Sequence, residues 1–282
     1  MAPPPINPPT GNYIEEYREI VEHQLAELDI SFKKRNEAPA TLSISDLGPL
    51  ETAIIYDSGL SFEIMDKGYL CNISRYFSNA LNGPFKEATT RIIRLRHDFP
   101  WAVYAMLDFL KNGSYYMYPV LLQQYPRITM LDLHVHCYIV ADKYDLPALA
   151  NYAGANCLRI VADALMLDWK FDDPDFYDES ESLPCVNYHP YDMCAEAEVS
   201  RFLDSVVLLW RNTASSNDAL RKEVVDMIKA CFIKLMRLKS FQFVFSNLRD
   251  FRLDLEKSFG ENGLVIMYRA RKENGYKVAF EA

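Results

Sequence analysis

The sequence predicts an α+β chain, and three observations carry that reading. Two short β-type runs joined by a Ser-Gly turn open the middle of the chain. Segments with helical spacing of apolar residues then fill most of the chain beyond them. Two alternating runs around Asn274-Gly275 close it, a strong hairpin signal. The expected architecture is a small, mostly antiparallel sheet flanked by helices, followed by a C-terminal helical region and a terminal β-hairpin. Half of the 282 residues are hydrophobic and 13% are aromatic, enough apolar material for a core.

Each element has its own signal. Residues 1–11 hold five prolines and read as a disordered or polyproline tail. Asn12, with Glu15 three positions on, has the spacing of a capping box. Ile14, Tyr17, Val21, Leu25 and Leu28 come next as one apolar stripe at helical spacing, so a helix is expected near 13–28 and a tether from there to residue 50. Thr52 to Asp57 is a continuous apolar strand. Leu60 to Met65 alternates, with Leu60, Phe62 and Ile64 as the expected buried side of a half-buried partner. Ile73 to Leu81 reads as a short helix stopped by Asn82-Gly83-Pro84, with Gly83 allowing a left-handed stop. Arg91 to Leu95 is a third strand. Phe99 to Leu110 is a helix with Pro100 in its first turn and Asn112-Gly113 beyond its end. Asp132 is the expected cap of a helix over 133–144, and Pro147 opens another to about 167.

Residues 168–190 change character. Seven acids between Asp168 and Glu181 face the single Lys170, which reads as a solvated linker. Residues 191–260 form a helical region with long amphipathic segments at 196–210 and 218–236 and shorter ones near 240–247 and 249–259. Residues 261–282 make the hairpin, with strands at 264–271 and 276–280.

Charge and motifs exclude several functions. A net charge of −9 argues against a phosphate-backbone binder, which needs clustered Lys and Arg, so no direct nucleic-acid partner is expected. Gly is scarce, and neither G-x-x-x-x-G-K-[ST] nor G-x-G-x-x-G occurs, so no phosphate-cradling loop is present. No G-x-S-x-G elbow occurs either. His134 and His136 are two apart on a predicted helix and point about 200° apart around its axis, so they do not grip one metal; one core-edge and one exposed His are expected. Cys185, His189 and Cys194 are the only ligand-like cluster, and they lack a fourth ligand for structural zinc. Cys71, Cys137, Cys157 and Cys231 sit in apolar segments and read as reduced core residues. No catalytic, cofactor or metal site is assigned. No basic-then-apolar leader opens the sequence and no apolar run approaches ~20 residues, so an intracellular protein (cytoplasm, nucleus or both) without a membrane partner is expected.

Three stretches carry a family resemblance: "YFSNALNGPFKEATTRIIRL" at 76–95, "AMLDFLKNGSYY" at 105–116, and above all "VADKYDLPALANYA" at 140–153. With Ser74, Tyr76 and Phe77 as a Ser-x-x-Phe helix start, residues 51–167 resemble a BTB/POZ domain, most like the divergent BTB proteins of filamentous fungi. Two places depart from the family pattern. Leu50-Glu51 stands where Ser-Asp usually precedes the first strand, and Asp66-Lys67 replaces the usual His before a basic residue. The helices of 191–260 are similar to those that follow fungal BTB domains.

The resemblance implies a non-enzymatic scaffold or adaptor that binds protein partners, itself or other BTB proteins, by homo- or hetero-dimerisation. Two narrower forms are a substrate adaptor of a cullin-type ubiquitin ligase, contacting the scaffold through 115–126, and a transcriptional regulator acting through partners. The expected contact residues are Ile14, Tyr17, Val21 and Leu25 on the N-terminal stripe, and Phe77, Leu81 and Phe85 on the first BTB helix and the loop after it.

Overall fold

The computed structural model describes residues 47–56, 61–166, 193–213, 218–236, 238–271 and 275–281. The Pro-rich tail, the 13–28 stripe with Ile14, Tyr17, Val21 and Leu25, the tether, the acidic linker, and Cys185 and His189 lie outside the described residues. The fold is α+β and mostly helical.

Strands β1 (Glu51–Tyr56) and β2 (Ser61–Asp66) pair antiparallel. Helices α1 (Lys67–Ile73), α2 (Arg75–Asn82) and α3 (Lys86–Thr90) lead to β3 (Ile92–Arg94), which pairs parallel with β1. The sheet order is β2-β1-β3, so the sheet is mixed rather than mostly antiparallel. The reason is that three helices carry the chain across before β3, and a crossover of that kind returns it in the direction of β1.

Helices α4 (Pro100–Asn112), α5 (Pro119–Gln124), α6 (Met130–Lys143) and α7 (Pro147–Met166) come after β3. Beyond the linker come α8 (Met193–Asn212), α9 (Ala219–Ala230), α10 (Phe232–Leu235), α11 (Lys239–Asn247) and α12 (Arg249–Glu261). Strands β4 (Val265–Arg271) and β5 (Gly275–Glu281) pair antiparallel from Val265↔Glu281 to Arg271↔Gly275, as the Asn-Gly signal predicts. Among the described residues, no helix is long and apolar enough to cross a membrane.

Local chemistry explains the boundaries. Asp66 Oδ1 accepts from the Tyr69 amide at 2.7 Å, as an N-cap does, and this starts α1 directly at the end of β2. The cap of α6 is Thr129, not Asp132: Asp132 stands at the third helical position and completes a reciprocal capping box with Thr129. Gly113 closes α4 at φ 75°, where a side chain would be strained. Gly83 is needed for a different reason from the left-handed stop expected of it, since a Cβ there would lie 2.4 Å from the Asn79 carbonyl oxygen. The single helix expected over 218–236 breaks at Cys231, where the backbone leaves helical geometry. That turn places the Phe232 ring 5.2–5.9 Å from those of Phe241, Phe245 and Phe259.

The described chain divides into two compact units, 47–72 with 77–98, and 73–76 with the residues from 99 onward. The first contains the three-stranded sheet. The second is a helical body in which α6 packs on α4, α7 and α8, α9 on α7 and α12, and α11 on α8 and α12. Its core includes Leu131, Val161, Phe202, Val206, Ile228 and Phe251. The gap beside Cys157 and Phe202 measures about 10 Å³, room for one water at most. The "KYDLP" stretch is legible here. Tyr144 and Leu146 are buried, Asp145 takes φ 51° between two helices, and Pro147 opens α7. Ser74 Oγ donates to the Tyr144 carbonyl at 2.6 Å, which ties the start of α2 to this corner.

Candidate docking face

The sheet of the first unit has two unlike faces. Side chains alternate along a strand and paired residues share a face, so the register sorts them. Thr52, Ile54, Tyr56, Met65 and Ile93 lie on one face and all are buried. Ala53, Ile55, Phe62, Ile64 and Ile92 lie on the other. At the centre of that second face Ala53 and Ile55 are buried, whereas on the edge strand β2 Phe62 is 49% and Ile64 40% exposed. Glu51, Asp66 and Arg94 share this face and give it a charged border.

This reverses the expectation for β2. Phe62 and Ile64 form its more exposed side, and Met65 is its buried residue. The physical reason is in β1: the apolar run of Thr52 to Tyr56 has side chains on both faces that need cover, and β2 supplies apolar neighbours to the second one. That continuous run was the signal in the sequence for a second apolar face. An open groove of about 420 Å³ runs along the same edge, lined by Gly48, Pro49, Leu50, Glu51, Ile64, Met65 and Asp66. Leu50 at its rim is 66% exposed. The chain entering the groove is held by Arg91, whose guanidinium donates to the Gly48 carbonyl, while Glu51 Oε2 accepts from the Gly48 amide at 2.7 Å.

The expected contact residues of α2 and the loop after it separate. Phe77 and Leu81 are fully buried, because they are the inward positions of the amphipathic α2, so they serve the core and not a surface. Phe85, the residue before α3, is 54% exposed and remains available. Within 115–126, Tyr116 and Leu122 are exposed and Tyr115 is buried.

The second unit holds a buried polar cluster. Tyr115 Oη and His134 Nδ1 lie 2.6 Å apart. Burial, followed by the charge of Arg159, pushes His134 down to about 4. Neither histidine is the exposed one of the expected pair, since His134 is buried and His136 is at the core edge. His136 is half-buried, its ring stands 4.5 Å from that of Phe99, and burial pushes it down to about 4. Burial raises the Cys137 thiol to about 12 and raises Cys157 as well, so both stay protonated, the unreactive form. Cys71, Cys137, Cys157 and Cys231 are free thiols, with Cys71 and Cys231 only half-buried. Among the described residues, no group of three His, Cys, Asp or Glu side chains is placed to hold a metal ion. Cys194 falls in the first turn of α8.

No family model matches the chain, and no curated protein matches it.

Proposed function

We propose that this chain is a non-enzymatic protein-interaction module, a scaffold or adaptor, built on a BTB/POZ-like unit that associates with itself or with similar units. The observation that carries the reading is the apolar row of Phe62 and Ile64 on an edge strand, with Leu50 beside it and charged residues at its border. Exposed apolar side chains ringed by polar ones mark contact sites. Among the described residues β2 is at the edge of its sheet, where a partner strand can be added. The order of hairpin, helices, strand and helix from β1 to α4 supports the reading.

The test is mass by light scattering across micromolar to millimolar concentrations. The expected result is a rise from the 32.6 kDa chain toward twice that mass. Phe62→Ser combined with Ile64→Thr abolishes the rise while leaving the unfolding midpoint in place. A chain that stays monomeric throughout overturns self-association. The cullin-adaptor form of the reading draws on the exposed Tyr116 and Leu122 in the 115–126 segment. An affinity pull-down from cells that recovers no cullin removes it.

A further inference from the structure

We propose that the apolar stripe of residues 13–28 docks in cis on the Phe62–Ile64 row of its own chain, so that a partner reaches this face only by displacing it. The inference rests on the docking face proposed above and adds its regulation.

Three observations lead to this occupant. The face is half covered, with Ala53 and Ile55 buried at its centre while Phe62 and Ile64 stand open along one edge. One apolar ridge laid along β2 is what is missing. The chain itself supplies such a ridge, since Ile14, Tyr17, Val21, Leu25 and Leu28 repeat at the spacing of a single helix face. The reach suffices: the described chain begins at Leu47, next to Gly48 in the groove lining, and an 18-residue connection over 29–46 extends to roughly 60 Å.

Tether length selects cis over a second copy. A short connection holds the stripe near its seat at an effective concentration in the millimolar range, above the micromolar level at which a free second copy competes. A seat that is covered most of the time weakens partner binding by the fraction of chains that are open. The stripe therefore acts as a built-in competitor and not as the dimer contact.

The experiment places a photo-crosslinking amino acid at position 64 of the full chain and irradiates an equal mixture of heavy- and light-isotope copies. The expected product has the mass of one chain and joins position 64 to a peptide within 13–28 of the same isotope. Ile14→Asp with Leu25→Asp removes that product and tightens self-association by roughly tenfold, the factor for a seat that is open a tenth of the time. Adducts that join position 64 of one copy to 13–28 of the other, or no adduct with 13–28, overturn the proposal. So does a doubly substituted chain that associates less. Failure of the reading itself looks different: the intrachain product forms, yet neither the parent nor the doubly substituted chain ever associates.

Discussion

Thr52 places a hydroxyl in the buried face of the sheet, and its Oγ1 has no hydrogen-bond partner. A buried hydroxyl left unpaired carries its full desolvation penalty, so Thr52→Val is expected to raise stability by about 1 kcal/mol, read as a higher denaturant midpoint. His134 acts in the opposite sense. Its folded value near 4 lies below the ordinary 6.5, so the unfolded chain binds the extra proton first. Stability is complete above about pH 6.5 and is lost as pH falls through 4, by roughly 3 kcal/mol at the acid end. Denaturant midpoints at pH 7 and pH 5 measure this, and His134→Gln is expected to remove about half of the difference between them, His136 carrying the rest. Tyr115→Phe, which strips the partner of His134 Nδ1, is expected to cost about 1–3 kcal/mol at neutral pH.

At the scale of elements, one junction holds α8, α9 and α12 together. Asp254 Oδ2 accepts from Arg221 Nη2 at 2.6 Å and Nε at 3.2 Å, and from Trp210 Nε1 at 2.9 Å. The guanidinium lies 5.0 Å from the Trp210 ring centre, and Nη1 donates to the Thr213 carbonyl. Asp254→Ala leaves a buried cation without its counter-charge, and the expected cost is roughly 3–5 kcal/mol. The Arg252–Glu256 pair, one helical turn apart and part-exposed, serves as control, and Glu256→Ala is expected to cost less than about 0.5 kcal/mol. Element length decides which of them were legible in the sequence. The helices now α4, α6 and α7 and the closing hairpin were readable because they run long enough to show a period or carry a turn signature. Helices α1, α3 and α5 have only five to seven residues each, too few to show a face. The Asp66 cap of α1 was visible in the sequence, but it falls at a strand end, where a helix start is not expected.

At the scale of the molecule, the candidate face was only partly legible. The sequence marks Phe62 and Ile64 as one side of a strand, yet alternation alone does not say which side a core will take. Phe77 and Leu81 were read toward a surface for the same reason: a short amphipathic helix shows that it has an apolar stripe, and burial decides whether the stripe meets the interior. Phe85 needed the structure as well, since its exposure depends on where α3 begins. The parallel pairing of β1 with β3 has a further consequence, in time. Ala53 meets Ile92 only after 39 positions of chain have been gathered in, whereas β1 and β2 are near neighbours in sequence. Closing the longer span costs more entropy before any contact repays it. The hairpin is therefore expected to assemble first and β3 to be stitched on last. Pulse-labelling during refolding would show this as late protection of the Leu95 amide, which donates to Ile55, and of the Ala53 amide, which donates to Arg91.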